Sequence, residues 1–409
     1  MPTTLISFLG TGPTDSKTGQ PSRNYRTAHY HLNGQFIGET SFAAAALLDH
    51  LKIDNLILVG TVKSLWEEAY RVVAERAGVD SETSEARQNE LFDRALDEEL
   101  NYQTPPTDVP LEAFEGLLGP FGRAVVIPYG VGDDQLTLIF HTLAKVLEQL
   151  PPDSSIYLDI THSFRSVPMY SLAALEYLTV IRNNGQVKDI FYAMLELSRE
   201  MDNRTPVVSL RSILDIQHWI RAGYALKKFG NGYDLAKLLE PTNAKLAATL
   251  KQLTDALKMN DLNTLQDLIG SLQSQEFETH RTKLGELVGY RAIEGFRKNF
   301  TETDHQSALQ LRIATYHYHR QNYGMAYLVL VEAMITYMCE RHHKNWRDLS
   351  DRKQAKGRLV KDAQWKDLYG GVNTIRKQVA HQLSLKKSDP KDAIQQLHDF
   401  LERTKTLIT

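Results

Sequence analysis

The stretch SIYLDITHSFRSVP, residues 155–168, decides how the first half of the chain folds. It opens as a near-continuous apolar run, the pattern of a strand covered on both faces. It then turns polar through Thr161, His162, Ser163 and Arg165 and leads into a helix. Five more short β-rich runs surround it: LISFLG (5–10), NLILVG (55–60), AVVIPYG (124–130), DIFYAML (189–195) and PVVSL (206–210). Helix-period segments separate several of them, such as SFAAAALLDHL (41–51) and QLTLIFHTLAKVLEQL (135–150). That alternation predicts an α/β, Rossmann-like domain over residues 1–212 with a mainly parallel sheet. Asn33-Gly34, between HYHL and QFIG, predicts a tight antiparallel hairpin after the first strand. The charged stretch 67–110, ending in QTPPTDVP, reads as a helical insertion on this domain.

From residue 213 to 409 the pattern changes. WIRAGYALKKF, NAKLAATLKQLTDALK, SALQLRIATYHYHR, MAYLVLVEAMITYMCERH and DAIQQLHDFLERTKTL all carry helical spacing, and no strand pattern is found. The second half is predicted to be an all-α domain.

Bulk composition narrows the function. The chain has 409 residues, enough for two full cores, with 24% charged residues and a formal net charge of −3. No global field draws it to nucleic acid or to an anionic membrane, so a nucleic-acid site must be local. A single cysteine, Cys339, cannot build a disulfide frame or a thiolate zinc site, which suits a reducing compartment. The N-terminus lacks the basic region of a signal peptide, and no apolar run reaches the roughly 18 residues of a membrane span. These readings predict a soluble cytoplasmic protein with no membrane partner.

Ligands of doubly wound sheets bind outside the carboxyl ends of the strands. Those ends carry Gly10-Thr11-Gly12, Thr61 with Ser64, Tyr129-Gly130-Val131-Gly132, and Thr161-His162-Ser163 with Arg165. Glycines let the backbone approach a ligand, while hydroxyls and amides donate to phosphate and ribose oxygens. Each threonine taken singly also reads as a helix cap. A dinucleotide fingerprint is excluded, because Asp15 stands where the third glycine belongs. Arg165 opposes the dipole of the helix it begins, and so calls for an anionic partner.

The segment IRKQVAH (375–381) carries Arg376 and His381, five residues apart. On one regular helix they would stand about 140° apart. Either the motif spans a helix start or a second chain completes the site, as a two-fold dimer would. From Glu340 to Lys366 there are nine Lys/Arg against four Asp/Glu, with Trp346 and Trp365 interleaved. Basic residues among aromatics suit unstacked single-stranded nucleic acid. RNA supplies its own nucleophile, the 2′-hydroxyl. A histidine can move the proton and an arginine can stabilise the phosphorane-like transition state, without a metal. Glu332 interrupts an apolar helix and reads equally as a carboxylate orienting Arg376 or as one on a wet edge.

These segments together resemble a known family. LISFLGTG (5–12), LILVGTVKSLW (56–66), LDITHSFRS (158–166) and IRKQVAH are similar to the motifs of CRISPR-associated effectors that join a CARF domain to a HEPN domain. Ser163 stands where the family's Asp-x-Thr-His-Gly signature has glycine, and Lys377 where Asn, Asp or His often follows the arginine. The resemblance implies a cyclic oligoadenylate, a ring of four or six adenylates, as the activating ligand of a homodimer, with assembly beyond the dimer left open. Gly10, Thr11, Gly12, Thr61, Ser64, Thr161, His162, Ser163 and Arg165 would surround that ring. Arg376 and His381 would cut single-stranded RNA with no catalytic cofactor and no metal, in type III CRISPR antiviral defence. Some members also cleave the messenger in the CARF domain. A sensor that binds nucleic acid or a partner without cutting is the alternative, and the arginine–histidine pair argues against it. A nucleotide-dependent small-molecule enzyme is disfavoured by the broken glycine fingerprint and the large helical half.

Overall fold

The structure, a computed structural model, describes residues 1–12, 25–97, 99–105, 109–162, 166–182, 185–273, 284–300, 305–380 and 390–408. Asp15, Ser163, Arg165 and His381 lie outside the described residues. Two compact units divide the chain, Met1–Leu214 and Asp215–Thr409.

In order, the first unit contains β1 (Thr3–Phe8), β2 (Ala28–Leu32), β3 (Gln35–Thr40), α1 (Ala43–Leu51), β4 (Asn55–Gly60), α2 (Trp66–Ala77) and α3 (Ser81–Leu96). There follow β5 (Arg123–Val126), α4 (Asp133–Leu147), β6 (Ser155–Asp159), α5 (Ser166–Glu176), β7 (Gln186–Ala193) and β8 (Arg204–Ser209). The eight strands form one sheet in the order β3-β2-β8-β7-β6-β1-β4-β5. Pairings along β7-β6-β1-β4-β5 are parallel, whereas β2–β3 and β7–β8 are antiparallel. The β2–β3 turn is made by Asn33 (φ 52°) and Gly34 (φ 80°), the two left-handed residues that a tight hairpin requires.

Continuous apolar strands arise because both sheet faces are covered. Along β4, Leu56 and Leu58 enter one core with α1 and α2, while Ile57 and Val59 enter the other with α4 and α5. In the segment 67–110, α2 is part of the first core through Ala69, Tyr70, Val72 and Val73, so it is the crossover helix after β4. By contrast, α3 buries only Leu91 and Ala95. The strands are shorter than the apolar runs suggest: β1 stops at Phe8, β5 at Val126 and β6 at Asp159. One further ladder bond follows each end, from the Leu9, Ile127 and Ile160 amides, and beyond it side chains join in. The Thr161 amide, for example, donates to the Asp159 carboxylate at 3.0 Å.

The remaining elements are α6 (Arg211–Phe229), α7 (Tyr233–Leu239), α8 (Ala244–Met259), α9 (Leu262–Gln273), α10 (Leu284–Arg297), α11 (Gln306–His319), α12 (Tyr323–Arg341), α13 (Leu349–Leu359), α14 (Lys366–Ala380) and α15 (Pro390–Ile408). No strand occurs among the described residues after Ser209. Helices α11 and α12 form a hairpin over Arg320–Asn322. α12 is buried almost all round, as its nearly uniform apolarity requires, and its Tyr327 hydroxyl donates to the Ala393 carbonyl of α15 at 2.6 Å. Among the described residues no helix is long and apolar enough to cross a membrane.

Candidate nucleotide site and candidate catalytic arginine

The winding of the sheet reverses between β1 and β6: β4 and β5 extend from one side of β1, β6 and β7 from the other. A cavity of about 670 Å³ opens there, lined by Gly10, Thr11, Gly12, Tyr25, Arg26, Thr161, His162, Leu195, Glu196 and Arg199. A topological switch point is where an open α/β sheet leaves room for a ligand.

Local chemistry shapes this cavity. Gly10 is needed for close approach, because a Cβ there would stand 3.2 Å from the His162 carbonyl oxygen. The Gly10 amide donates to the Tyr25 hydroxyl at 2.9 Å, and that hydroxyl lies 3.2 Å from the Gly10 carbonyl, to which it donates. The Tyr25 ring stacks on the His162 imidazole at 4.1 Å, with Phe42 behind. Among the described residues the buried His162 Nε2 has no hydrogen-bond partner, and desolvation lowers its pKa to about 4, so the imidazole is neutral at pH 7. Beneath them Asp159 is fully buried. It accepts from Ser7 Oγ at 2.6 Å and from Thr161 Oγ1 at 2.6 Å, and Thr161 Oγ1 in turn accepts the Ala193 amide at 3.0 Å. Burial pushes the Asp159 carboxyl up from the usual range.

Five of the nine residues expected around a ligand thus come together: Gly10, Thr11, Gly12, Thr161 and His162. Thr61 and Ser64 do not line the cavity; both are buried. Ser64 Oγ accepts the Thr61 amide at 2.8 Å and donates to the Leu9 carbonyl at 2.9 Å, so the pair fastens the loop after β4 to β1. Similarly, the loop after β5 is held by Gln135 Oε1, which accepts the Gly130 and Val131 amides. Tyr25, Arg26, Leu195, Glu196 and Arg199 were not singled out in the sequence. The first two precede β2 and the others follow β7, away from any glycine or hydroxyl cluster.

Residues 4–196, holding β1 through β7, match the family described as CRISPR system endoribonuclease Csx1, CARF domain. This segment is a CARF domain. Residues 215–307 match CRISPR-associated protein MJ1674, second domain. Over 98% of its length the chain is 28% identical to CRISPR-associated protein MJ1674 of Methanocaldococcus jannaschii, and it spans 66% of that protein. A Csm6 from Enterococcus italicus, solved bound to cyclic hexa-2′-fluoro-hexa-dAMP, aligns over 100% of this chain and 94% of its own. Its TM-score is 0.40 at 10% identity, too low to carry an argument. The cavity lies inside the CARF domain except for Arg199, three residues past its matched end. Because Gly10 lies against the His162 carbonyl, Gly10→Val is expected to lower the stability of the first unit by about 1–3 kcal/mol through overpacking, which thermal unfolding of the full chain checks.

Arg376 and its surroundings lie beyond both matched segments, in the second unit. Arg376 is half-buried on α14, and its Nε is buried without a hydrogen-bond partner among the described residues. Tyr369 is buried on the same helix, and burial pushes its hydroxyl up while the Arg376 charge opposes that shift. Glu332 pairs with Arg352, whose guanidinium also donates to the Trp346 carbonyl at 3.1 Å. Glu332 is therefore already committed to another arginine. The aromatics of the basic stretch are not base platforms. Trp365 is buried against Tyr337, and Trp346 packs on the core under Arg347. An aromatic between cations on a helical segment also reads as core, and here packing claims it. The cations remain available: the carboxylates Asp351 and Asp362 pair with Lys344 and Arg341, leaving Lys353, Lys356 and Lys361 exposed. Among the described residues no group of three or more His, Cys, Asp or Glu converges as a metal site.

Proposed function

We propose that the chain is a cyclic-oligoadenylate-activated endoribonuclease of type III CRISPR defence, working as a homodimer. In this reading residues 213–409 form a HEPN domain, and Arg376 with His381 cut single-stranded RNA. The observation that carries it is the cavity at the switch point of a CARF domain whose family is described as an endoribonuclease. Its lining suits a compact nucleotide ring. Gly10 and Gly12 admit a close-lying phosphate, Arg26 and Arg199 supply positive charge, and the Tyr25–His162 wall offers a ring surface to a base.

The cutting step needs only groups that RNA and the chain supply. The 2′-oxygen attacks the adjacent phosphorus as its proton leaves, and the P–O5′ bond breaks. The 5′-oxygen takes up a proton, leaving a 2′,3′-cyclic phosphate and a 5′-hydroxyl. His381 exchanges these protons, and Arg376 faces the charge on the non-bridging oxygens. A second protomer brings the other arginine and histidine to the same axis. The exposed lysines of α13 attract the phosphate backbone.

A fluorescent single-stranded RNA incubated in EDTA, with and without cyclic tetra-adenylate or cyclic hexa-adenylate, tests this. Ring-dependent cutting that disappears in His381→Ala is expected. Tight binding of a ring with no cutting by any preparation would make the chain a sensor that acts through a partner. Cutting that survives His381→Ala would move the active site elsewhere.

A further inference from the structure

Among the described residues, Glu196 is the one carboxylate lining the CARF cavity. It is exposed, and Arg199 stands one helical turn further along the same short 3-10 segment, Leu195–Arg199. Arg26 lines the cavity as well. Among the described residues, neither the carboxylate nor either guanidinium has an ion-pair or hydrogen-bond partner. A carboxylate only accepts hydrogen bonds, and next to a ring of phosphodiesters it is repelled unless the ligand gives it a proton donor. The arginines complement the phosphates, so the acidic group has to meet another part of the ligand. Donors on an adenylate ring are the base amino group and the ribose hydroxyl. Leu195, next in sequence, and the stacked rings of Tyr25 and His162 make the same cavity partly apolar and flat-walled, the setting for a base.

We propose that Glu196 accepts a hydrogen bond from the exocyclic amino group of an adenine and so determines which base the cavity takes. This rests on the cavity being a cyclic-oligoadenylate site. It makes base identity depend on a residue outside the strand-end motifs, on the segment after β7. A purine without the amino group leaves the carboxylate desolvated and unpaired, and the site then rejects it.

The test compares the full chain's affinity for the cyclic oligoadenylate it binds with that for the same ring built from purine riboside, which lacks only the 6-amino group. Wild type is expected to prefer the adenylate ring by about tenfold to a hundredfold, as for a hydrogen bond to a charged group. Glu196→Ala is expected to bind both rings within about threefold of each other, because the discriminating group is gone. Glu196→Gln keeps an acceptor oxygen and is expected to recover part of the preference. Equal affinities in wild type, or an unchanged preference in Glu196→Ala, would overturn the inference while leaving the ligand reading intact; the latter outcome would transfer the amino contact to another group. Failure of wild type to bind any adenylate ring would overturn the ligand reading itself, and this inference with it.

Discussion

Arg376→Ala is expected to lower the single-turnover rate of ring-activated RNA cleavage by about 10²–10³-fold, the loss that follows removal of one preorganised donor to a transition-state anion. Its structural cost should be small or negative. A buried Nε–H without a partner costs about 1–3 kcal/mol when left desolvated, so truncation removes a liability. Melting temperature held or raised, together with lost cleavage and unchanged ring affinity, is the signature of a group kept for a substrate. Arg376→Lys keeps the charge but not the planar fork, and is expected to recover only part of the rate. A falling melting temperature with cleavage intact would make Arg376 a packing residue of α14.

How much of this was legible in the sequence differs between the two units. In the first unit, periodicity reports burial directly. The run NLILVG reads as a two-faced strand because Leu56 and Ile57 do enter opposite cores. Gly10, Thr11, Gly12, Thr161 and His162 could be read as a group because they stand at strand ends, and the sheet order gathers those ends at one cavity. Thr61 and Ser64 have the same composition and the same place after a strand. Nothing local distinguishes them; what differs is that the Leu9 carbonyl, just past β1, takes the Ser64 hydroxyl proton, and the Trp66 indole donates to the Thr61 carbonyl. Glu196 and Arg199 were not legible, because a charged pair after a strand looks like any solvated turn until the sheet order brings it beside β1 and β6. Trp365 shows the same limit in the helical unit. Its side chain reads as a base platform among lysines, yet Tyr337 and the core bury it.

Asp159 offers the second large effect, since one carboxylate organises the cavity floor. Three donors converge on it: Ser7 Oγ, Thr161 Oγ1 and the Thr161 amide. Asp159→Ala leaves all three without an acceptor and is expected to cost on the order of 2–4 kcal/mol in the first unit. It also frees the Thr161–His162 turn, so ring binding should fall with it. Asp159→Asn behaves differently. Its amide oxygen still accepts the two Thr161 bonds, its NH₂ can turn to the Ser7 hydroxyl, and no charge is desolvated. Stability within about 1 kcal/mol of wild type is expected near pH 7.

The pH dependence has a definite sign. Burial holds the folded-state pKa of Asp159 above its ordinary 3.8, so the folded state keeps the proton longer than the unfolded chain does. The stabilisation from this proton is complete below 3.8 and is lost as pH rises through the elevated folded value. Wild type should therefore lose stability relative to Asp159→Asn across that window, and amide hydrogen exchange of β1 and β6 in the full chain reads the difference. A difference that stays flat with pH would mean that the three donors hold the carboxylate ionised throughout. The cavity floor would then carry a fixed negative charge below a ring of phosphates, and Arg26 and Arg199 would have to offset it before any ligand could bind.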